Sequence, residues 1–243
     1  MSAAAIITPD NAPRLTETAR ARRGWITELR WSLHGRGLAV AASTGVALYE
    51  VEDGLKLRAI LEGHDGPVKS VAVNPDSTCI ASASADTTIR LWNLKQGGGY
   101  QVLVGHTGSV NGLAFSPDGA LLASVSEDRT VRLWDVAAQS GRDALTGHTD
   151  EVLCAVFCAG GRLLATGSRD ATIRLWDVEH GTEQRRVRHE DWVRALACNP
   201  ADDRFIASAS RDMTVRLWDA AQGAQRLLLR THFNGADAVS FSP

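Results

Sequence analysis

Tryptophan and aspartate recur in this chain at one fixed interval, and that interval constrains the fold more than any other feature. The tryptophans separated by 42 residues are Trp92, Trp134, Trp176 and Trp218. The aspartates with the same spacing are Asp86, Asp128, Asp170 and Asp212. A period of this length is typical of a chain built from successive copies of one supersecondary unit.

Each copy has the pattern of antiparallel β-strands. One copy contains three short apolar runs, VNGLAF, LLASVS and TVRLWDV, which the turn sequences SPDG and EDR separate. A fourth run, for example YQVLV, precedes each repeat's histidine. Alternating apolar residues between turn signals predict hairpins. Four strands in about 42 residues predict the blade of a β-propeller.

The short motifs in these copies are those of a known family. A Gly-His pair stands at 63–64, 105–106 and 147–148, an aspartate precedes the third strand, and Trp-Asp ends the copy at 134–135, 176–177 and 218–219. Together they resemble the WD-repeat β-propeller family over residues 24–243. The resemblance implies an all-β propeller of four-stranded antiparallel blades, with five complete units and the start of a sixth, as part of a seven-bladed ring.

The predicted domains are an N-terminal extension, 1–23, and the propeller, 24–243. Its units are 24–53, 54–95, 100–137, 142–179, 184–221 and, in part, 226–243. The first unit is degenerate, because it ends in Tyr49-Glu50 and lacks the histidine and the turn aspartate. The glycines at 97–99 are interpreted as a flexible connector where two blades join.

The length of the chain does not decide how the propeller ring is closed. Seven blades would take about 294 residues, so the chain is about 50 short. We expect a fragment of a longer chain; a smaller ring, or completion by a second chain or by residues near 14–20 of the extension, are the alternatives.

A hydroxyl, an imidazole and a carboxylate in each copy suggest a nucleophilic triad. The set recurs four times, however, whereas an enzyme needs one activated site. Family resemblance implies a structural hydrogen-bonded tetrad instead, and the sequence leaves open whether the first strand hydroxyl (Ser124) or the second (Ser126) takes part. The predicted tetrads are His64, Ser82, Asp86 and Trp92; His106, Ser124, Asp128 and Trp134; His148, Thr166, Asp170 and Trp176; and His189, Ser208, Asp212 and Trp218.

Binding is expected on the propeller face where the first strand of each blade begins. The resemblance places partners there, and the residues at these positions vary while the framework repeats. The candidate binding residues are Trp192, Arg194, Arg211, Arg169, Glu127, Asn111, Lys69 and Trp25. Tryptophan is a common interface anchor, so Trp192 is the first candidate. The arginines suggest an acidic peptide or a phosphate; packing of Trp192 on a neighbouring loop and solvated charges are the alternatives.

Composition narrows the class of function. Lys and Arg total 26 against 28 Asp and Glu, which argues against a nucleic-acid partner. No apolar stretch is long enough for a membrane helix, and the head of the chain lacks the order of a secretory signal, although a mitochondrial presequence stays open. The four cysteines form no CxxC pair and are expected to be reduced and packed, in a cytoplasmic protein. No metal site, cofactor or catalytic residue is predicted.

The sequence therefore predicts a non-catalytic scaffold for protein or peptide partners. The alternative is the regulatory or sensor WD-repeat module of a larger signalling enzyme, a kinase or an NTPase, with this chain a fragment of it. A propeller enzyme or lectin is the third hypothesis.

Overall fold

The predicted runs form short strands because alternating side chains can be buried on the faces of a sheet while turn residues reverse the chain. The computed structural model describes residues 25–32, 34–51, 54–95, 99–230 and 232–241. These contain five four-stranded antiparallel sheets, each a meander in chain order. The protein is an all-β propeller, and the predicted 1–23 extension lies outside the described residues.

The sheets are the blades, numbered along the chain. The first contains β1 (Ile26–Trp31), β2 (Gly37–Ala42), β3 (Gly45–Glu50) and β4 (Lys56–Leu61). The second contains β5 (Val68–Val73), β6 (Cys79–Ser84), β7 (Ile89–Asn93) and β8 (Tyr100–Leu103). The third contains β9 (Val110–Phe115), β10 (Leu121–Ser126), β11 (Val131–Asp135) and β12 (Ser140–Gly141). The fourth contains β13 (Val152–Cys158), β14 (Leu163–Ser168), β15 (Thr172–Asp177) and β16 (Thr182–Arg188). The fifth contains β17 (Val193–Cys198), β18 (Phe205–Ser210), β19 (Val215–Asp219) and β20 (Ala224–Leu229).

Each blade takes its outer strand from the beginning of the next sequence unit. The glycine-rich segment consequently links β7 to β8 within one blade, where the Gly99 carbonyl accepts a 2.9 Å hydrogen bond from the Asn93 amide. The interpretation of this segment as a connector between blades was wrong, because the fourth run pairs with the strand before it and not with the one after it.

The outer strand of the third blade is shorter than the pattern predicts. Only Ser140 and Gly141 pair with β11, and Leu145 adds one isolated bridge to Val131. A Cβ on Gly141 would lie 3.0 Å from the Trp134 ring, so this edge runs directly over the indole.

The core lies between neighbouring blades. Trp134 is buried in one cluster with Ile89 and Leu91 of the preceding blade. Trp176 packs in the same way with Val131 and Leu133. Each repeated tryptophan therefore fastens its blade to the one before it, since an indole buries more apolar area than most side chains.

The first blade has no described blade on its outward side. Leu29 and Trp31 of β1 are 52% and 57% exposed, whereas Val71, at the equivalent position to Leu29 in β5, is fully buried by the first blade. The described sheets thus do not close on one another, and the seven-bladed ring stays a prediction. After β20, residues 237–239 line a cavity of about 370 Å³ together with residues of all five inner strands.

Candidate functional site: the buried tetrads and the rim face

The four predicted tetrad residues meet in each of blades two to five. In the third blade His106 Nδ1 lies 2.8 Å from Asp128 Oδ2, and His106 Nε2 lies 2.7 Å from Ser124 Oγ. Trp134 Nε1 donates to the same Ser124 Oγ at 2.8 Å. In the other three blades the equivalent distances are between 2.7 and 2.9 Å.

The structure decides which strand hydroxyl belongs to the tetrad. Ser124 is the one that meets the histidine and the tryptophan. Ser126 donates instead to the Gly108 carbonyl at 3.1 Å and accepts from the Asp128 amide, also at 3.1 Å. The second hydroxyl therefore holds the turn that carries the aspartate.

A fifth repeated residue completes this network, and the sequence interpretation missed it. Thr130 Oγ1 donates to Asp128 Oδ1 at 2.6 Å, and its amide donates to the same oxygen at 2.9 Å. The equivalent threonines are Thr88, Thr172 and Thr214. Their 42-residue spacing was visible in the sequence and was the signal that could have identified them.

The hydrogen bonds are consistent with a neutral histidine. Ser124 Oγ accepts the indole N–H and can donate its own hydrogen to His106 Nε2, which is then an acceptor, with the Nδ1 proton directed at Asp128. Burial lowers the pKa of His106, although the hydrogen bond and charge of Asp128 raise it. Burial likewise lowers the pKa of His64 and His189.

The aspartates stay ionised despite their burial. Burial raises the pKa of Asp128, but hydrogen bonds from Thr130, the Thr107 amide and His106 outweigh it and lower the pKa to about 2. The same balance lowers the pKa of Asp86, Asp170 and Asp212. A carboxylate that accepts several hydrogen bonds is strongly held in its charged form.

The geometry is that of a serine triad, but the hydroxyls are inaccessible. Ser82, Ser124, Thr166 and Ser208 all have 0% exposure. A nucleophile must reach the carbon it attacks, and each hydroxyl oxygen is already surrounded by an indole N–H and an imidazole. This arrangement stabilises a blade and connects strands, turn and loop.

The first blade replaces the polar network with apolar packing. Val40 and Tyr49 occupy the positions of the tetrad serine and tryptophan, and both are buried with Ala47 against Leu38 and Leu55. The degenerate sequence of this unit therefore corresponds to a different, apolar, way of holding the blade together.

The rim face is the end of the propeller where the inner strands β5, β9, β13 and β17 begin. Two turns of each blade meet there, because the residue before the turn aspartate donates its amide hydrogen to the carbonyl of the residue before the inner strand. The four hydrogen bonds are Ala85 to Pro67, Glu127 to Ser109, Arg169 to Glu151 and Arg211 to Trp192, at 2.9 to 3.0 Å.

Trp192 lies on this face between two arginines. The guanidinium of Arg169, from the fourth blade, is 4.3 Å from the centre of the indole. That of Arg211, from its own blade, is 4.5 Å from it. Trp192 is half-buried, and both contacts are within the range of cation–π attraction. The stack spans the boundary between blades four and five.

Each arginine of the predicted basic group has a carboxylate partner. Arg169 Nη1 is 2.7 Å from Glu151 Oε1, and Arg211 Nε is 3.7 Å from Asp191 Oδ2. Arg194 pairs with Asp237 in the segment after β20. The group is therefore close to electrically balanced and is not a bare cationic patch.

The other candidate residues have different surroundings. Asn111 Nδ2 donates to the Val152 carbonyl of the next blade at 3.1 Å, so it helps to join two blades. Lys69 and Glu127 are exposed, and Trp25 is 78% exposed. The structure brings Trp192, Arg169 and Arg211 together but leaves Trp25 and Lys69 outside that stack.

Within the described residues, no three His, Cys, Asp or Glu side chains are placed to hold a metal ion. The same part of the chain has no helix with the length and apolar character needed to cross a membrane.

Comparison with known proteins agrees with the repeats. The model of the WD domain, G-beta repeat, matches residues 55–93, 99–135, 141–177 and 181–219. Its matches begin after β1, β2 and β3 of the first blade, which has no tetrad.

Curated proteins that are similar to this chain carry the same repeat. Small ribosomal subunit protein RACK1y of Oryza sativa subsp. japonica is 35% identical over 77 residues, which are 30% of this chain and 23% of the relative. Eukaryotic translation initiation factor 3 subunit I of Neurospora crassa is 34% identical over 73 residues, 30% of this chain and 21% of the relative. NACHT domain- and WD repeat-containing protein 1 of Mus musculus is 34% identical over 95 residues, 39% of this chain and 6% of the relative.

These alignments thus span less than a quarter of each relative. The four family matches, in contrast, cover more than half of this chain and coincide with blades whose tetrads are complete. The chain belongs to the WD-repeat family.

Proposed function

We propose that this protein is a non-catalytic scaffold that binds protein or peptide partners on the rim face, with Trp192 as the anchor. The observation that carries the proposal is the stack of Arg169, Trp192 and Arg211. It presents a half-buried indole in a fixed orientation, so little side-chain entropy remains to be lost on binding.

The charge balance of the stack favours a protein surface over a free phosphate. A phosphate or acidic peptide would have to compete with Glu151, Asp191 and Asp237 for the guanidinium groups. A partner that packs an apolar or aromatic side chain on the indole, and donates to those carboxylates, would leave every ion pair intact. Tryptophan and arginine are enriched among residues that dominate binding energy at interfaces.

The names of two relatives support a role in assemblies. One is a protein of the small ribosomal subunit and the other a subunit of a translation initiation factor. Repetition of one buried network, with no unique exposed catalytic cluster among the described residues, also fits a scaffold. A cytoplasmic location stays a prediction from the sequence.

The test is affinity capture with quantitative mass spectrometry, comparing the wild-type chain with Trp192→Ala, Trp192→Phe and Val102→Ala. Val102 lies on the outer strand β8 of the second blade and is 43% exposed, whereas the stack belongs to blades four and five, so the Val102 variant is the control. We expect one set of proteins to be lost with Trp192→Ala, partly retained with Trp192→Phe and unchanged with Val102→Ala. Equal capture by all four proteins would refute the proposal.

A second candidate function is that of a regulatory WD-repeat module within a larger signalling enzyme. The uncovered apolar side of β1, with Leu29 and Trp31, supports it, because further blades of a longer chain would bury this side as the first blade buries Val71. The mouse relative combines WD repeats with a NACHT domain, by its name.

Light scattering with size exclusion, followed by a thermal melt, tests this second proposal. We expect the 243-residue chain to self-associate, and Leu29→Glu to reduce the association without lowering the melting temperature. The buried counterpart Val71→Glu should unfold the protein. A wild-type monomer with one sharp transition would contradict it.

A further inference from the structure

Two cysteines from neighbouring blades lie in contact at the end of the propeller opposite the rim face. Cys158 is the last residue of β13, and Cys198 is the last residue of β17. Both belong to the apolar cluster between blades four and five. Cys158 is buried, at 2% exposure, whereas Cys198 is partly exposed.

The Cys198 sulfur is surrounded by donors. It accepts hydrogen bonds from the Cys158 thiol and from the amides of Ala159 and Asn199. In its protonated form it can donate to the Asp203 carbonyl, 3.6 Å away. Amides that converge on a sulfur stabilise the thiolate in the same way that they stabilise other anions.

The two thiols consequently differ in acidity. The hydrogen bond from Cys158 and the two amides lower the pKa of Cys198, although burial and the Asp203 carboxylate raise it. The same hydrogen bond, burial and the charges of Cys198 and Asp203 raise the pKa of Cys158. Burial also raises the pKa of Cys79 to about 11 and that of Cys154 to about 12. Cys198 is thus the cysteine with the greatest thiolate character.

We propose that Cys198 is an oxidisable thiol and that Cys158 is its resolving partner, so that hydrogen peroxide converts the pair into a disulfide between blades four and five. A partly exposed thiolate next to a second thiol is the arrangement that redox-sensing cysteines require.

The chemistry takes two steps. The Cys198 thiolate attacks one oxygen of hydrogen peroxide; an S–O bond forms, the O–O bond breaks, and the departing hydroxide takes a proton to become water. Cys198 is now a sulfenic acid, oxidised by two electrons. The Cys158 sulfur, on losing its proton, attacks the Cys198 sulfur; an S–S bond forms, the S–O bond breaks, and the hydroxyl leaves with that proton as a second water.

The product would fasten the boundary between blades four and five at a second point. The stack of Arg169 on Trp192 crosses this boundary on the rim face, and the disulfide would cross it at the other end of β13 and β17. It would close a loop of about 40 residues, which restricts the unfolded chain and should raise the melting temperature. A dithiol reductant should restore the starting state.

The test uses the purified full chain with increasing hydrogen peroxide, alkylation of the remaining thiols and peptide mapping. We expect a Cys158–Cys198 linked peptide, with Cys79 and Cys154 still alkylated. Cys158→Ser should instead accumulate a sulfenic acid at Cys198 that reacts with dimedone, Cys198→Ser should give neither product, and Cys79→Ser should behave as the wild type.

A second measurement does not depend on any variant folding. The rate of alkylation by iodoacetamide at pH 7.5 should be at least tenfold higher for Cys198 than for Cys79 or Cys154 in the wild-type chain, since the thiolate is the reacting form. Equal rates at these cysteines, or peroxide treatment without the linked peptide, would overturn the proposal.

Discussion

The indole Nε1 of Trp134 and the hydroxyl of Ser124 share a 2.8 Å hydrogen bond inside the third blade, and neither side chain is more than 3% exposed. The bond joins β11 to β10 and continues through His106 to the carboxylate of Asp128. Since Trp134 also packs on the second blade, one chain of hydrogen bonds fixes both a sheet and its boundary with the blade before it.

Removal of the carboxylate should be costly. Asp128→Ala leaves the donors of His106, Thr130 and the Thr107 amide without their acceptor, so we expect the free energy of unfolding to fall by about 3 kcal/mol. Trp134→Ala should cost about 4 kcal/mol through the cavity it leaves. Glu127→Ala, an exposed neighbour, should stay within about 0.5 kcal/mol of the wild type. Urea denaturation measures all three, and equal midpoints would contradict the role of the tetrad.

Thr130 should prove to be a member of the network. Thr130→Val preserves the shape but removes the hydroxyl that donates to Asp128 at 2.6 Å, so we expect a loss of about 1.5 kcal/mol. The variant should also raise the pKa of Asp128. Thr107→Val is the matched control, because Thr107 contacts Asp128 only through its backbone amide. If the two variants are equally stable in urea, Thr130 contributes only its shape.

Stability should fall on acidification in two separate ranges. Burial lowers the pKa of His64, His106 and His189 below the ordinary 6.5. Below pH 6.5 the unfolded chain therefore binds more protons than the folded protein, and the free energy of unfolding declines as the pH falls. The tetrad aspartates have pKa values below the ordinary 3.8, so their contribution is complete above about pH 4 and is lost as pH falls towards 2, the pKa of Asp128.

Urea midpoints between pH 8 and pH 3 measure this dependence. We expect a plateau above pH 7, a first decline below pH 6.5 and a steeper decline below pH 4. A midpoint that is constant down to pH 4 would contradict this, because it would show that the histidines bind protons equally in the folded and the unfolded protein.

Replacing the glycine of the Gly-His pair by alanine should lower stability strongly in only some of the sequence units. Gly147 has φ +148°, and a Cβ there would meet the Arg174 guanidinium, which is buried and paired with Glu183. We expect Gly147→Ala to cost about 2 kcal/mol, because strain and displacement of a buried charge add. Gly105 does not have a positive φ, and its Cβ would lie 3.1 Å from both Arg132 Nη1 and the Trp134 ring, so Gly105→Ala adds close contacts without backbone strain and should cost less, about 1 kcal/mol. Thermal melts compare them, and the reverse order would refute this account.

Arg188 illustrates why the glycine is not universal. It occupies the same position in the fifth sequence unit, where it ends β16 of the fourth blade, has no positive φ, and accepts a hydrogen bond from Arg216 on its carbonyl. The sequence showed this departure from the Gly-His pattern, but only the backbone angles explain why this unit tolerates it.

Much of the blade was predictable because its signals are local. The runs around Trp134 and Trp176 alternate with a period of two, and turn residues separate them, so the strands and their order followed. The predicted units placed the outer strands in the wrong blades, because each outer strand pairs with the strand before it in the chain. The outer strand of the third blade was a further exception, because Gly141 lies against the Trp134 ring and only Ser140 and Gly141 form ladder pairs with β11. How many residues of such an edge strand pair depends on the side chains against which it packs.

The candidate site was less predictable. The sequence identified Trp192 and its neighbouring arginines, but it could not show that Arg169 of one blade and Arg211 of the next both lie over that indole. Nor could it show that each guanidinium already has a carboxylate partner. These contacts join residues that are far apart in the chain, and they depend on how neighbouring blades are rotated and on which rotamers that rotation allows.

The sequence by itself determined the repeat, the strands within it and the histidine, aspartate and tryptophan of each tetrad, because a fixed period forces equivalent residues into equivalent environments. Tertiary structure decided that Ser124 and not Ser126 meets His106, that Cys158 touches Cys198, and that β1 lacks a neighbour on one side. Ser124 and Ser126 point to the same face of β10, so only the position of the loop that carries His106 distinguishes them. Contacts between blades are likewise set by the packing of whole sheets, which no local pattern in the chain encodes.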